Sequence, residues 1–161
     1  SNALAAVAVG RHLGLDFPII ASAIATFEGA KRRFELRGEI NGIRFIDDYA
    51  HHPSEISATL SAARLRILNT ELNPKSAFPG ESQGTSQNPK SGRVVAIFQP
   101  HRYSRTLTFL QEFSQSFNDA DLVVVTDIYS AGEPNLGQIN GQQVADRIAA
   151  HHPHVTYQPS L

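Results

Sequence analysis

The chain has 161 residues, 41% of them hydrophobic and 18% charged, with a formal net charge of −1. That length allows one domain with a sizeable core, and a charge so close to zero gives no electrostatic case for nucleic acid or an acidic membrane surface. The lack of cysteine excludes disulfides and thiolate metal sites and agrees with a cytoplasmic protein, and no apolar run approaches the roughly 20 residues of a bilayer-spanning helix.

Ser1-Asn2-Ala3 resembles the scar of a cleaved purification tag and is set aside from the fold; with no methionine in the chain, it reads as the start of a piece of a longer protein. Leu4 to Leu15 is Ala- and Val-rich and predicts a short apolar helix with a glycine stop. Pro18 opens a second, Ile19 to Phe27, closed by Gly29. Both are too short to build a core. Phe34-Glu35-Leu36-Arg37-Gly38 alternates like a strand, and Asn41-Gly42 is a two-residue hairpin signal, so Arg33–Glu39 and Ile43–Asp47 are expected to pair antiparallel.

The hairpin runs into Ile46-Asp47-Asp48-Tyr49-Ala50-His51-His52-Pro53, which places two carboxylates, a phenol and two imidazoles at a strand-to-helix junction. In open α/β sheets ligands bind at that edge, and a helix N-terminus there favours anions. Turn-forming residues explain one or two of these positions; seven polar and capping residues at one junction point to a site. Ser54 to Leu68 carries Ile56, Leu60, Ala63 and Ile67 at helical spacing. Residues 69–92, rich in Pro, Ser, Asn, Gln and Gly, read as a mobile surface insertion.

Arg93-Val94-Val95-Ala96-Ile97-Phe98 is the near-continuous apolar run of a parallel strand covered on both faces. It ends in Gln99-Pro100-His101-Arg102-Tyr103-Ser104-Arg105-Thr106, ahead of a helix predicted over Thr106–Phe117. Leu122–Val125 is a second buried strand, leading into Asp127-Ile128-Tyr129-Ser130-Ala131-Gly132-Glu133-Pro134. A helix over Gln142–Ala150 and a strand from Val155 follow. The alternation from residue 43 onward predicts an α/β fold, a doubly wound and mostly parallel sheet with helices on both faces and an N-terminal β-hairpin. The chain stops just after a candidate strand, so its C-terminus is expected to be cut short.

Arg102 and Arg105, three apart at a helix start, are expected on one face, where paired guanidiniums suit a carboxylate or phosphate. His101 is open to three readings: general base, substrate contact or support. His51, His52, His101 and Asp48 were weighed as metal ligands; adjacent histidines diverge and no His-x-x-x-His is present, so no metal site is expected. His151-His152-Pro153-His154 reads as a helix-terminal cationic cap. There is neither a Gly-x-x-x-x-Gly-Lys-Ser/Thr loop nor a Gly-x-Gly-x-x-Gly fingerprint.

In order along the chain, Phe27-Glu28-Gly29-Ala30-Lys31-Arg32-Arg33-Phe34-Glu35, Asp47–Pro53, Phe98–Thr106 and Asp127–Glu133 resemble the Mur ligase family, in particular its branch that adds L-alanine to UDP-N-acetylmuramate. The branch that attaches recycled tripeptide to the same sugar nucleotide is less similar, since it tends to carry Phe where Tyr49 stands and lacks the Pro-His-Arg-Tyr-Ser-Arg-Thr run. The resemblance implies an ATP- and Mg2+-dependent ligase of cytoplasmic peptidoglycan synthesis with three domains. Residues 4–27 would be the tail of its central ATPase domain and 28–161 its Rossmann-like C-terminal domain. It further implies that Arg33 and Asp48 bind ATP, and that Tyr49, His51, His101, Arg102 and Arg105 form the L-alanine pocket. The phosphate loop, the metal-binding residues and the UDP-sugar site match nothing in this chain, so no catalytic residue is assigned within it. The 69–92 insertion is longer than the family's loop. Outside that family, a non-catalytic α/β module binding a nucleotide or small carboxylate would use the same Arg-His cluster.

Overall fold

The structure, a computed structural model, describes residues 2–27, 32–72 and 92–160. The chain opens with α1 (Asn2–His12) and α2 (Phe17–Ala25); α1 begins within the run set aside as a scar. The two helices pack on each other where Gly10 meets the buried Ile20. A β-carbon on Gly10 would lie 2.8 Å from Ile20 Cδ1, so the close approach depends on the bare glycine. Leu4, Val9, Leu13, Phe17 and Ile19 stay exposed around this pair, as expected of helices too short for a core.

The strands β1 (Glu35–Ile40) and β2 (Ile43–Asp47) form the expected antiparallel hairpin. Asn41 and Gly42, at φ +53° and +77°, both take the left-handed conformation that the tight turn demands. This hairpin is a sheet of its own, so β2 is not the first strand of the parallel sheet. It joins that sheet through α3 (Pro53–Leu72), which runs one turn beyond the predicted end and into the segment expected to be an insertion. Residues 73–91 of that segment lie outside the described residues.

The parallel sheet is β3 (Val95–Phe98), β4 (Leu122–Val125) and β5 (Val155–Tyr157), in that order. Between them stand α4 (Tyr103–Thr108), α5 (Leu110–Ser114) and α6 (Gly141–Ala149). Right-handed crossovers that step along a sheet in one direction place their helices on the same face. The burial follows that rule. Ala96 and Phe98 lie beside Val123 and Val125 in register, and Val123 and Val125 are wholly buried with Phe113 of α5, Phe117 of the turn after it, Val144 and Ile148 of α6 and Ile56 and Leu60 of α3. The alternate residues Val95 and Ile97 are 50% and 61% exposed. Among the described residues the α/β class, the parallel sheet with its helices and the N-terminal hairpin are as expected, and the helices cover one face of the sheet, not both.

Two local expectations change. The helix predicted over Thr106–Phe117 starts at Tyr103 and is interrupted at Phe109, whose φ and ψ of −107° and 21° leave the helical range. His152, expected in a helix-terminal cap, is buried. Its Nε2–H donates to the Ala120 carbonyl and its Nδ1 accepts from the His154 N–H, which ties the turn after α6 to the start of β4. Asp121 secures the same edge by accepting from the Val94 N–H and the Arg64 guanidinium, each at 2.7 Å. Burial alone would raise the Asp121 carboxyl; those two bonds and the charges of Arg64 and Arg93 outweigh it and hold the group below the usual carboxylate range. Among the described residues no helix is long and apolar enough to cross a membrane.

One-sided packing predicts unequal costs for two large-to-small changes. Phe113→Ala, at 1% exposure, is expected to lower unfolding free energy by about 3–5 kcal/mol, and Ile97→Ala by less than about 1 kcal/mol. Urea melts of the two variants check this; a large loss at Ile97 would mean that a further layer covers the second face.

Candidate functional site

Three loops meet at the C-terminal edge of the strands. The first, after β2, is organised by carboxylates. Asp48 is half-buried and accepts from the Phe34 N–H through Oδ2 and from the Ala50 N–H through Oδ1, both at 2.7 Å. The Tyr49 N–H donates to the Arg32 carbonyl at 2.7 Å. The loop is thereby bound to the entry of the hairpin, where Arg32 and Phe34 hold positive φ. Arg33, half exposed, lies 3.5 Å from Glu55. Arg33 and Asp48 thus share one corner, and each Asp48 oxygen retains a lone pair for a further donor.

Glu55 is the residue that sequence reasoning passed over in this loop. Its Oε2 accepts from the His51 and His52 N–H groups at 3.0 and 3.2 Å, half of a capping box for α3, with Pro53 at the first helical position. The His51 N–H bond first, then the His52 N–H and the charges of His51 and Arg33, hold Glu55 below the usual carboxylate range against its burial. The signal was present as Pro53-Ser54-Glu55. His51 donates Nδ1–H to the Tyr49 carbonyl at 2.8 Å, which in the neutral ring leaves Nε2 as an acceptor. His52 turns away: its ring packs on Phe109 at 4.7 Å between centroids and its Nδ1 meets Ser54. His51, His52, His101 and Asp48 are therefore not gathered around one point.

The second and third loops are fastened to each other. The Tyr129 N–H donates to Pro100 O and the Arg102 N–H to Tyr129 O, each at 2.8 Å, so parallel pairing continues past the ends of β3 and β4. Arg102 stands at the head of α4 with φ +72°, a left-handed conformation that costs a side-chain-bearing residue strain. It is held there by the Tyr129 carbonyl and by Thr106, whose N–H and hydroxyl both donate to the Arg102 carbonyl. Because Arg102 precedes the helix, the two arginines do not share a helical face. Arg102 is exposed, whereas Arg105 is half-buried and donates to His101 Nδ1 at 3.3 Å. An arginine only donates, so His101 Nδ1 accepts and Nε2 carries the ring proton. Burial first, then the charges of Arg105 and Arg102, push His101 below the ordinary histidine value. The neutral ring presents an N–H donor, which favours the substrate-contact reading of His101 over the base.

The rings of Tyr49, His51, His101 and Tyr129 follow one another across the three loops at centroid separations of 5.0, 6.3 and 5.5 Å, and the Arg32 guanidinium lies over Tyr49 at 5.1 Å. The structure thus brings Tyr49, His51, His101, Arg102 and Arg105 to one edge, with Arg33 and Asp48 on its hairpin side. Arg32, Glu55, Tyr129 and Glu133 were not assigned from sequence. A hollow of about 480 Å3 at the opposite edge of the sheet, lined by Arg93, Asp121, His151 and His154 among others, contains none of the predicted residues.

A parallel α/β sheet whose C-terminal edge carries arginines, a histidine and paired loops defines an α/β domain of the open-sheet class, in which ligands bind at that edge. The comparisons make it more particular. The family model for the Mur ligase glutamate ligase domain matches residues 32–70. Over all 161 residues the chain is 66% identical to the UDP-N-acetylmuramate–L-alanine ligases of Nostoc punctiforme and Trichormus variabilis, of which it spans 29% and 28%. It superposes on the UDP-N-acetylmuramate–alanine ligase of Thermotoga maritima with TM-score 0.68 at 27% identity, and on a murein peptide ligase from Psychrobacter arcticus with TM-score 0.60 at 26%, covering 99% of this chain and 28% of each. The chain belongs to the Mur ligase family and carries its C-terminal domain fold.

Arg105→Ala removes a nearby positive charge and is expected to raise His101 towards the ordinary histidine value, read by NMR titration of the ring. Because the folded value is depressed, the stability His101 contributes is complete above the ordinary value near 6.5 and lost as pH falls through the folded one. An unmoved titration would mean that Arg105 does not act on the ring.

Proposed function

We propose that this chain is the amino-acid-binding part of an ATP-dependent ligase that joins L-alanine to UDP-N-acetylmuramate. The observation that carries the reading is the gathering of Tyr49, His51, His101, Arg102 and Arg105 on one edge of the sheet, in a chain 66% identical along its length to ligases of that name. In this reading Arg102 and Arg105 hold the alanine carboxylate, which leaves the amine free. His101 offers Nε2–H and His51, when neutral, offers the Nε2 lone pair, so the edge supplies one donor and one acceptor. The exposed Tyr49 ring and the two imidazoles wall a space whose size would limit the side chain to a methyl group.

ATP, with Mg2+, would supply the activation of the muramoyl carboxylate as an acyl phosphate for the amine to attack. The residues here fit a nucleotide at the corner of Arg33 and Asp48, where one donor and one part-occupied carboxylate stand close together. Arg33 would meet phosphate oxygens and Asp48 a ribose hydroxyl. Residues 4–27 would belong to the central domain, whose closure over the edge completes the pocket. The setting is bacterial cytoplasmic cell-wall synthesis. The murein peptide ligase likeness is a second reading within the same family, and the more distant structural match counts against it.

The test is ATP-dependent ligation of alanine, glycine and serine to UDP-N-acetylmuramate by the full-length protein. Alanine is expected to be preferred, and Arg102→Ala is expected to raise the KM for alanine at least about tenfold with a KM for ATP changed less than about twofold. Preference for a tripeptide over alanine would favour the second reading, and equal effects on both KM values would remove Arg102 from the pocket. The 161-residue chain by itself is expected to release no phosphate from ATP with alanine present.

A further inference from the structure

The sequence motifs leave one acidic residue without a role at this edge. Glu133 lies in the third loop, in a tight turn where Ala131 and Gly132 hold φ +50° and +87° and the Glu133 N–H donates to the Ser130 carbonyl at 3.1 Å. That turn brings the side chain back across to the second loop. Oε2 accepts from the Ser104 N–H at 3.0 Å and Oε1 from the Ser104 hydroxyl at 2.6 Å. Ser104 is the second residue of α4, so one of the N–H groups that a helix start leaves unpaired is taken by a carboxylate of the protein.

We propose that Glu133 is a positioning residue for the amino-acid pocket: by gripping Ser104 through both oxygens it fixes the first turn of α4, and with it the strained Arg102 backbone that presents the guanidinium to the substrate carboxylate. The proposal rests on the alanine-ligase reading. Arg102 lies between two anchors, the Tyr129 carbonyl on its N–H and the Glu133 carboxylate two residues on, and both belong to the third loop. Without the second, the first turn of α4 loses its side-chain tie to the third loop, and the left-handed Arg102 keeps only its bonds to Tyr129 and Thr106, which hold its side chain less firmly at the edge. The carboxylate suits this position because it meets the two Ser104 donors with two charged acceptor oxygens; a glutamine keeps the backbone bond through its oxygen, can turn its N–H2 to the hydroxyl lone pair, and loses the charge. The Ser104 bonds first, then the charge of Arg102, hold Glu133 below the usual carboxylate range against slight desolvation, and Glu133 in turn acts to raise His101. Glu133 is thus ionised at neutral pH, and Arg102 and His101 are the charged or titratable groups that act with it.

Two measurements test this. In the full-length ligase, Glu133→Ala is expected to raise the KM for alanine about tenfold with the KM for ATP nearly unchanged, and Glu133→Gln is expected to raise it less. Ser104→Ala, which keeps the backbone bond, is expected to give a smaller rise. In the 161-residue chain, the Ser104 amide resonance is expected to follow a carboxylate titration below the ordinary glutamate value, absent from Glu133→Gln, with matching thermal melts showing that the variant folds. An unsubstituted enzyme that ligates alanine, and whose KM for alanine Glu133→Ala leaves alone, overturns the proposal and keeps the ligase. A Ser104 amide that does not titrate overturns the proposed grip whatever the kinetics. No ligation by the unsubstituted enzyme overturns the functional reading and this proposal together.

Discussion

The edge of this domain depends on the pair of backbone bonds that carry β-pairing past the end of the strands, Tyr129 N–H to Pro100 O and Arg102 N–H to Tyr129 O. Strand ends ordinarily release their loops to solvent, where an arginine is a mobile charge. Here two further ladder bonds commit the loops after β3 and β4 to each other, and the cost of a left-handed Arg102 is offset locally by the Tyr129 carbonyl and by Thr106. The position of His101 follows, since it lies within the same paired stretch, and so does its tautomer, because Arg105 approaches one ring nitrogen only.

Two carboxylates do comparable work on either side of that pair. Glu55 receives the N–H groups ahead of α3, and Glu133 receives those at the head of α4. Each satisfies donors that a helix start leaves unpaired and complements its partial positive charge. These N–H groups are thereby occupied within the protein. The edge also separates the two arginines by function: Arg105 is spent partly on His101, and Arg102 stands exposed.

Beneath the edge, stability comes from one dense face. Val123, Val125, Phe113, Phe117, Val144 and Ile148 are close to fully buried, and the capping box of Asn140 and Gln143 starts α6 against the end of β4. Gly141 has no room for a side chain, since an added β-carbon would lie 2.6 Å from the Thr126 carbonyl. The third loop is therefore anchored at both ends, by β4 before it and by the head of α6 after it, and it can serve as the fixed member to which the second loop is tied.

Much of this was legible in the residues. Asn41-Gly42 defined a hairpin because only a left-handed pair closes a two-residue turn. The apolar runs at Val95–Phe98 and Leu122–Val125 defined parallel strands, and helical spacing from Ile56 to Ile67 defined α3, because burial periodicity is written locally. The clustering of polar residues after three strands marked the edge for the same reason. What the sequence could not decide was whatever depends on a partner far along the chain. Arg102 and Arg105 looked co-facial until the Tyr129 carbonyl turned Arg102 out of the helix. His152 looked like a surface cap until the Ala120 carbonyl accepted a hydrogen bond from its buried ring. Glu133 had no role assigned from sequence; in the fold Ser104, 29 residues away, meets both its oxygens. Local spacing determined the elements and the kinds of chemistry they carry; long-range hydrogen bonds, which need the folded chain to exist, decided which side chains face one another and in what ionic form.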